Sequence, residues 1–100
     1  MVKITLKSNK NGGFVSLEAK GHTGEKGTSL VCAAVSAIIK CGCNALKDES
    51  YAYEDEDGHF YLEATKDISE HDAIVIETIT TQLECLAGEY PKEVRLERKN

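Results

Sequence analysis

One hundred residues allow a single domain with one hydrophobic core, without disulfide or metal staples. Hydrophobic residues make up 41% and charged residues 29%, and MVKITLKS lacks the apolar run of a signal peptide or membrane span, so a cytoplasmic location with no membrane partner is expected. With 17 acidic against 12 basic side chains the net charge is −5, which argues against direct nucleic-acid binding and favours a basic partner or peptide.

Four cysteines in a cytosolic chain stay reduced, which excludes a disulfide framework. Metal is not expected either. Cys41 and Cys43 point about 200° apart on a helix, and no CxxC spacing occurs. No cofactor is implied.

Val2, Ile4 and Leu6 alternate with Lys3, Thr5 and Lys7, the period of a strand with one buried face. SNKNGG (8–13) is a turn centred on Asn11-Gly12, and the alternation from Phe14 to Lys20 completes a hairpin that delivers Gly21 and His22 at its far end. After a polar loop containing Gly24 and Gly27, Thr28 or Ser29 caps a helix predicted over Leu30 to Leu46. LVCAAVSAIIKCGCNAL carries a single charge, Lys40, and is apolar around nearly its whole circumference. A soluble helix without a polar face needs cover on more than one side, so it is expected to pack against a second copy in a homodimer, with Gly42 allowing close approach.

Two short strands, Tyr51 to Glu54 and Phe60 to Ala64, flank the turn DEDGH with its Asp57-Gly58 hairpin signal. Ser69 with Asp72 resembles a capping box, and Ile76, Ile79, Leu83 and Leu86 recur at helical spacing until Gly88 and Pro91 stop the helix. Val94 and Leu96 mark a last strand. The expected fold is α+β, a mostly antiparallel sheet with two helices packed on it, in the order ββαββαβ over a single domain, 1–100.

The residues able to do chemistry lie within GHTGEKGTSLVCAAVS. Cysteine attacks as thiolate and needs a neighbour that favours the anion. With Ser29 as cap, Cys32 is the third helical residue, where unpaired N–H groups and the helix dipole favour negative charge and are placed to hold an oxyanion. His22 can return over the loop to take the thiol proton and later protonate a leaving amine. A cysteine on an apolar helix is also an ordinary core residue, and a histidine in a turn an ordinary solvated one, so spacing alone leaves both readings open. Cys41, Cys43 and Cys85 read as core residues, and His59 and His71 as surface polar residues. Ser36 lies one turn beyond Cys32 on the same face and either supports the site or bonds to its own helix carbonyl.

Gly21-His22, the glycine-containing loop, Val31-Cys32-Ala33-Ala34-Val35-Ser36-Ala37 and Glu89-Tyr90-Pro91-Lys92-Glu93-Val94 resemble the Prp family of bacterial ribosomal-processing cysteine proteases along essentially the whole chain. The resemblance implies a homodimeric endopeptidase that removes an amino-terminal extension from the large-subunit ribosomal protein numbered twenty-seven. It puts the family's catalytic dyad on His22 and Cys32, with Gly21, Ser29 and Ser36 as supporting or substrate-binding candidates. The loop is shorter than in many members, and Thr28-Ser29 replaces an acidic residue often found before the cysteine. The alternative is a non-catalytic, dimeric, ribosome-associated module that grips a basic peptide with Cys32 buried. Redox sensing by Cys32 is a third reading, though sequence supplies no resolving thiol.

Overall fold

The computed structural model describes residues 1–21, 30–56 and 58–100. Five strands and two helices follow the expected order: β1 (Val2–Ser8), β2 (Phe14–Lys20), α1 (Leu30–Ser36), β3 (Tyr51–Glu56), β4 (His59–Ala64), α2 (Glu70–Glu89) and β5 (Val94–Lys99). The sheet order is β3-β4-β2-β1-β5, antiparallel throughout except where β5 runs parallel to β1. The crossover through α2 makes that pairing possible, since parallel strands need a connection long enough to return the chain to the same end.

Register explains the core. Leu6 pairs with Leu17 and Leu17 with Leu62, while Ile4 pairs with Ala19 and Ala19 with Phe60, so one face of three adjacent strands is continuously apolar. Onto it pack Val31, Val35 and Ile39 from the first helix and Ile79 and Leu83 from the second. Leu83 is fully buried, and each such side chain contributes about 1.5–3 kcal/mol relative to an exposed one. The other face of the sheet carries Lys3, Glu18, Lys20 and His59.

The first helix departs from a uniform α-helix. Beyond Ser36 the chain forms a π-helical segment, Ala37–Cys41. In an α-helix each i, i+4 step drifts about 40° around the axis, and the wider π turn counters that drift. Val31, Val35 and Ile39 consequently stay in one buried line. Leu30, Ala33, Ala37 and Cys41 face outward, small or apolar and uncharged. Gly42 serves a contact inside the chain: a Cβ there would lie 2.6 Å from Ile79 Cγ1, so the glycine lets the first helix close on α2.

Strands β3 and β4 run closer to their turn than the alternation predicts, ending and starting at Glu56 and His59. The capping box is also rearranged. Ser69 Oγ accepts from Asp72 N at 3.2 Å as expected, but Asp48 Oδ2, from a distant connection, accepts from Ser69 N at 2.8 Å. Asp72 turns inward instead. Its carboxylate is fully buried and accepts from Lys47 N at 2.9 Å, Asp48 N at 3.0 Å and Tyr51 Oη at 2.7 Å. Burial alone would raise its pKa, yet these donors hold it below the ordinary value by stabilising the anion.

Candidate active site

Strand β2 is central, bonded to β1 on one side and β4 on the other, and so gives the residues at its end a rigid support. Gly21 follows directly. Its φ is +100°, a Cβ would lie 2.3 Å from the Met1 carbonyl oxygen, and its N–H donates to the Gly58 carbonyl at 2.9 Å. No other residue type fits that backbone without displacing β1. Gly21 therefore fixes where the chain leaves the sheet through its backbone. His22 and Ser29, the predicted base and cap, lie outside the described residues.

Cys32 is the third residue of α1, between Val31, which is buried, and Ala33, which is exposed. It is half-buried against the core cluster, so its sulfur sits at the shoulder of the helix where packing meets surface. Backbone N–H groups in a first helical turn have no intrahelical acceptor, and this is the part of the helix Cys32 occupies. Ser36, one turn further on, is exposed and ends the α-helical turn just before the π segment.

The other cysteines divide differently from the expectation of three core residues. Cys43 is half-buried, and burial pushes its thiol up to about 11. Cys41 and Cys85 are exposed. Cys85 lies two residues beyond the fully buried Leu83, about 200° around the helix, and Cys41 lies two beyond buried Ile39. Among the described residues, no group of three or more His, Cys, Asp or Glu side chains gathers as metal ligands.

Two arrangements escaped the sequence reading. His59 Nε2 lies 2.9 Å from Glu18 Oε2, and the His59 hydrogen bond, aided by Lys20 at 3.7 Å, holds the Glu18 carboxyl below its usual value. His59 pairs with Lys20 across β2 and β4, so this hydrogen-bonded pair lies at the end of the sheet where Gly21 leaves β2. Aligning the two hairpins places Glu18 and His59 as diagonal neighbours, a signal available only once register is known. Similarly, His71 Nε2 donates to the Ala45 carbonyl at 2.9 Å, tying α2 to the end of the first helix.

The comparisons agree over nearly the whole chain. A family model, cysteine protease Prp, matches residues 1–95. The ribosomal processing cysteine protease Prp of Staphylococcus aureus is 26% identical over 106 residues, covering 99% of this chain and 100% of that protein. Its Mycoplasma genitalium counterpart is 33% identical over 98 residues, covering 94% of this chain and 92% of that protein. The crystal structure of the S. aureus protease with a covalently linked product peptide superposes with a TM-score of 0.91 at 26% identity, covering 99% of this chain and 100% of that one. With a half-buried cysteine on the third residue of α1 and a family match over residues 1–95, the chain belongs to the cysteine protease Prp family and is a cysteine protease.

Proposed function

We propose that the chain cuts the amino-terminal extension from the large-subunit ribosomal protein numbered twenty-seven, with Cys32 as nucleophile and His22 as general base and acid. The observation that carries this reading is the position of Cys32: half-buried on the third residue of α1, in a chain of the cysteine protease Prp family. His22 takes the thiol proton as sulfur attacks the scissile carbonyl. The oxyanion is held by N–H groups of the first helical turn, that of Cys32 among them. Collapse expels the amine, which receives the proton from His22, and water then releases the acyl group from sulfur with the same residue as base. Ser36, on the face below Cys32, contacts the peptide or the loop.

The S. aureus relative has been crystallised with a covalently linked product peptide, which supports covalent chemistry on a cysteine here. The outward residues Leu30, Ala33, Ala37 and Cys41 support a homodimer formed through the first helix, since an uncharged face of this kind is best covered by its own copy. The reaction takes place in the cytoplasm on a ribosomal protein precursor and involves no direct nucleic-acid contact. Incubating the extended ribosomal protein with reduced wild type and with Cys32→Ala, followed by intact-mass spectrometry, tests the reading. A truncated product with wild type alone is expected. An intact substrate in both, across a range of pH that generates thiolate, overturns it.

A further inference from the structure

The sheet ends at β3, whose outer edge pairs with no strand among the described residues. Ser50 O accepts from Thr65 N at 2.8 Å, and Tyr51 pairs with Ala64. Bonded and non-bonded pairs alternate along antiparallel strands. Ala52, Glu54 and Glu56 therefore turn their backbone groups toward β4, whereas the N–H and C=O of Tyr53 and Asp55 point outward. Such an edge is a template for another chain unless it is charged with Lys, broken by Pro or bulged. β5, at the opposite edge, carries Arg95, Arg98 and Lys99, whereas β3 reads YAYEDE, without Lys, Pro or a bulge but with three carboxylates, which oppose another acidic strand and not a basic one.

Along the helix side of β3 runs a groove of about 450 Å³, with Leu46, Tyr51, Tyr53 and Leu62 among its walls and Lys40 paired with Asp55 at 3.2 Å on the same side. Tyr51 is held in place through its hydroxyl by Asp72, while Tyr53 is 69% exposed, unusual for a large aromatic ring beside a core. Glu54 and Glu56, both exposed, alternate to the other face of the strand. A strand added here would thus meet Tyr51 and Tyr53 followed by the Lys40–Asp55 ion pair on one face, and the carboxylates of Glu54 and Glu56 on the other.

We propose that the outer edge of β3 is a docking strand for an extended peptide in which lysines alternate with apolar residues, the apolar side chains entering the groove and the lysines flanking Glu54 and Glu56. A second copy is a poorer occupant, because two β3 edges together would gather the carboxylates of Glu54, Asp55 and Glu56 from both chains into one strand pair, where like charges destabilise. The edge also points at the catalytic end. Glu56 pairs with His59 and His59 with Lys20, so the end of β3 lies two strand spacings, about 10 Å, from the end of β2 and Gly21. The assignment rests on the proteolytic reading for where the docked peptide is cut, and on the edge itself for how it is held.

The test uses full-length Cys32→Ala, which prevents turnover, and fluorescence anisotropy with a fluorescein-labelled alternating Lys-Val peptide. The double variant Glu54→Gln, Glu56→Gln is expected to bind about tenfold more weakly and with a shallower salt dependence. Tyr53→Pro removes an outward donor without touching the β4 pairing and is expected to weaken binding at least as much. The same peptide with alternate backbone amides methylated is expected to lose binding to unaltered protein, a control independent of any variant's folding. Slowed hydrogen exchange at Tyr53 and Asp55 on binding would support the edge directly. Equal binding of the methylated peptide overturns the proposal, as does a Tyr53→Pro protein that becomes monomeric by light scattering while still binding the peptide. Cleavage of the ribosomal protein without edge protection overturns docking alone. Edge protection on binding, together with wild-type protein that cuts no peptide, leaves docking standing and removes the proteolytic reading.

Discussion

The far end of the first helix and the end of β2 are fastened in opposite ways. At its far end, the connection to β3 is held by a fully buried carboxylate: Asp72 takes two backbone amides and a phenol from Lys47, Asp48 and Tyr51, while Asp48 returns a bond to the cap of α2. At the end of β2, Gly21 is fixed by backbone alone, through a positive φ, a close approach to Met1 and one bond to Gly58. Side-chain chemistry is used up where the fold is tied together. At the end of β2 the fold is held by main chain.

That contrast is exposed to five measurements. The largest effect is expected at Cys32: Cys32→Ala should lower kcat/KM by on the order of 10³-fold or more, while the unfolding free energy in urea changes by less than about 1 kcal/mol. A large stability loss with activity retained would reverse the two roles. At the far end, Asp72→Ala should cost about 3 kcal/mol in urea denaturation, because three donors lose a charged acceptor in a buried site.

Asp72 also predicts an acid limb. Its folded pKa lies below its unfolded value, so its contribution to stability is fully present above the ordinary aspartate range and is lost as pH falls through the folded value. Melting temperatures taken from neutral pH down through pH ~4 and below should fall in wild type and fall less in Asp72→Asn. Equal slopes would remove Asp72 from the account.

Gly21→Ala is expected to cost about 2 kcal/mol through backbone strain and the clash with Met1 O, and with it to disturb catalysis more than Asp72→Asn does per unit of stability lost. A neutral Gly21→Ala in both thermal melting and peptidase assays would show that the strand end does not set the site. The smallest effect is expected at Gly42→Ala. Crowding Ile79 at 2.6 Å costs about 1–3 kcal/mol, offset by about 1 kcal/mol of better helix propensity, for a net loss of about 1 kcal/mol. The loss should appear as a lower melting temperature with unchanged mass by light scattering. A dissociated dimer at constant melting temperature would move Gly42 from the α1–α2 contact to a subunit interface.

Period and punctuation determined most of the architecture. Alternation in VKITLK and FVSLEAK, the turns at Asn11-Gly12 and Asp57-Gly58, and the helical spacing from Ile76 to Leu86 specify five strands and two helices, because each is a local pattern that burial on one face enforces. The position of Cys32 in a first helical turn was legible in the same way. Local pattern could not supply the strand order, the parallel β1–β5 pair or the π segment, since these depend on which elements meet across the chain. The role of Asp72 shows why. In sequence it is the third residue after a serine cap, and its spacing to Ser69 is satisfied by any helix start; that it turns inward to bind Lys47, Asp48 and Tyr51 was decided by α2 packing beside the end of the first helix, where three donors would otherwise be buried unpaired.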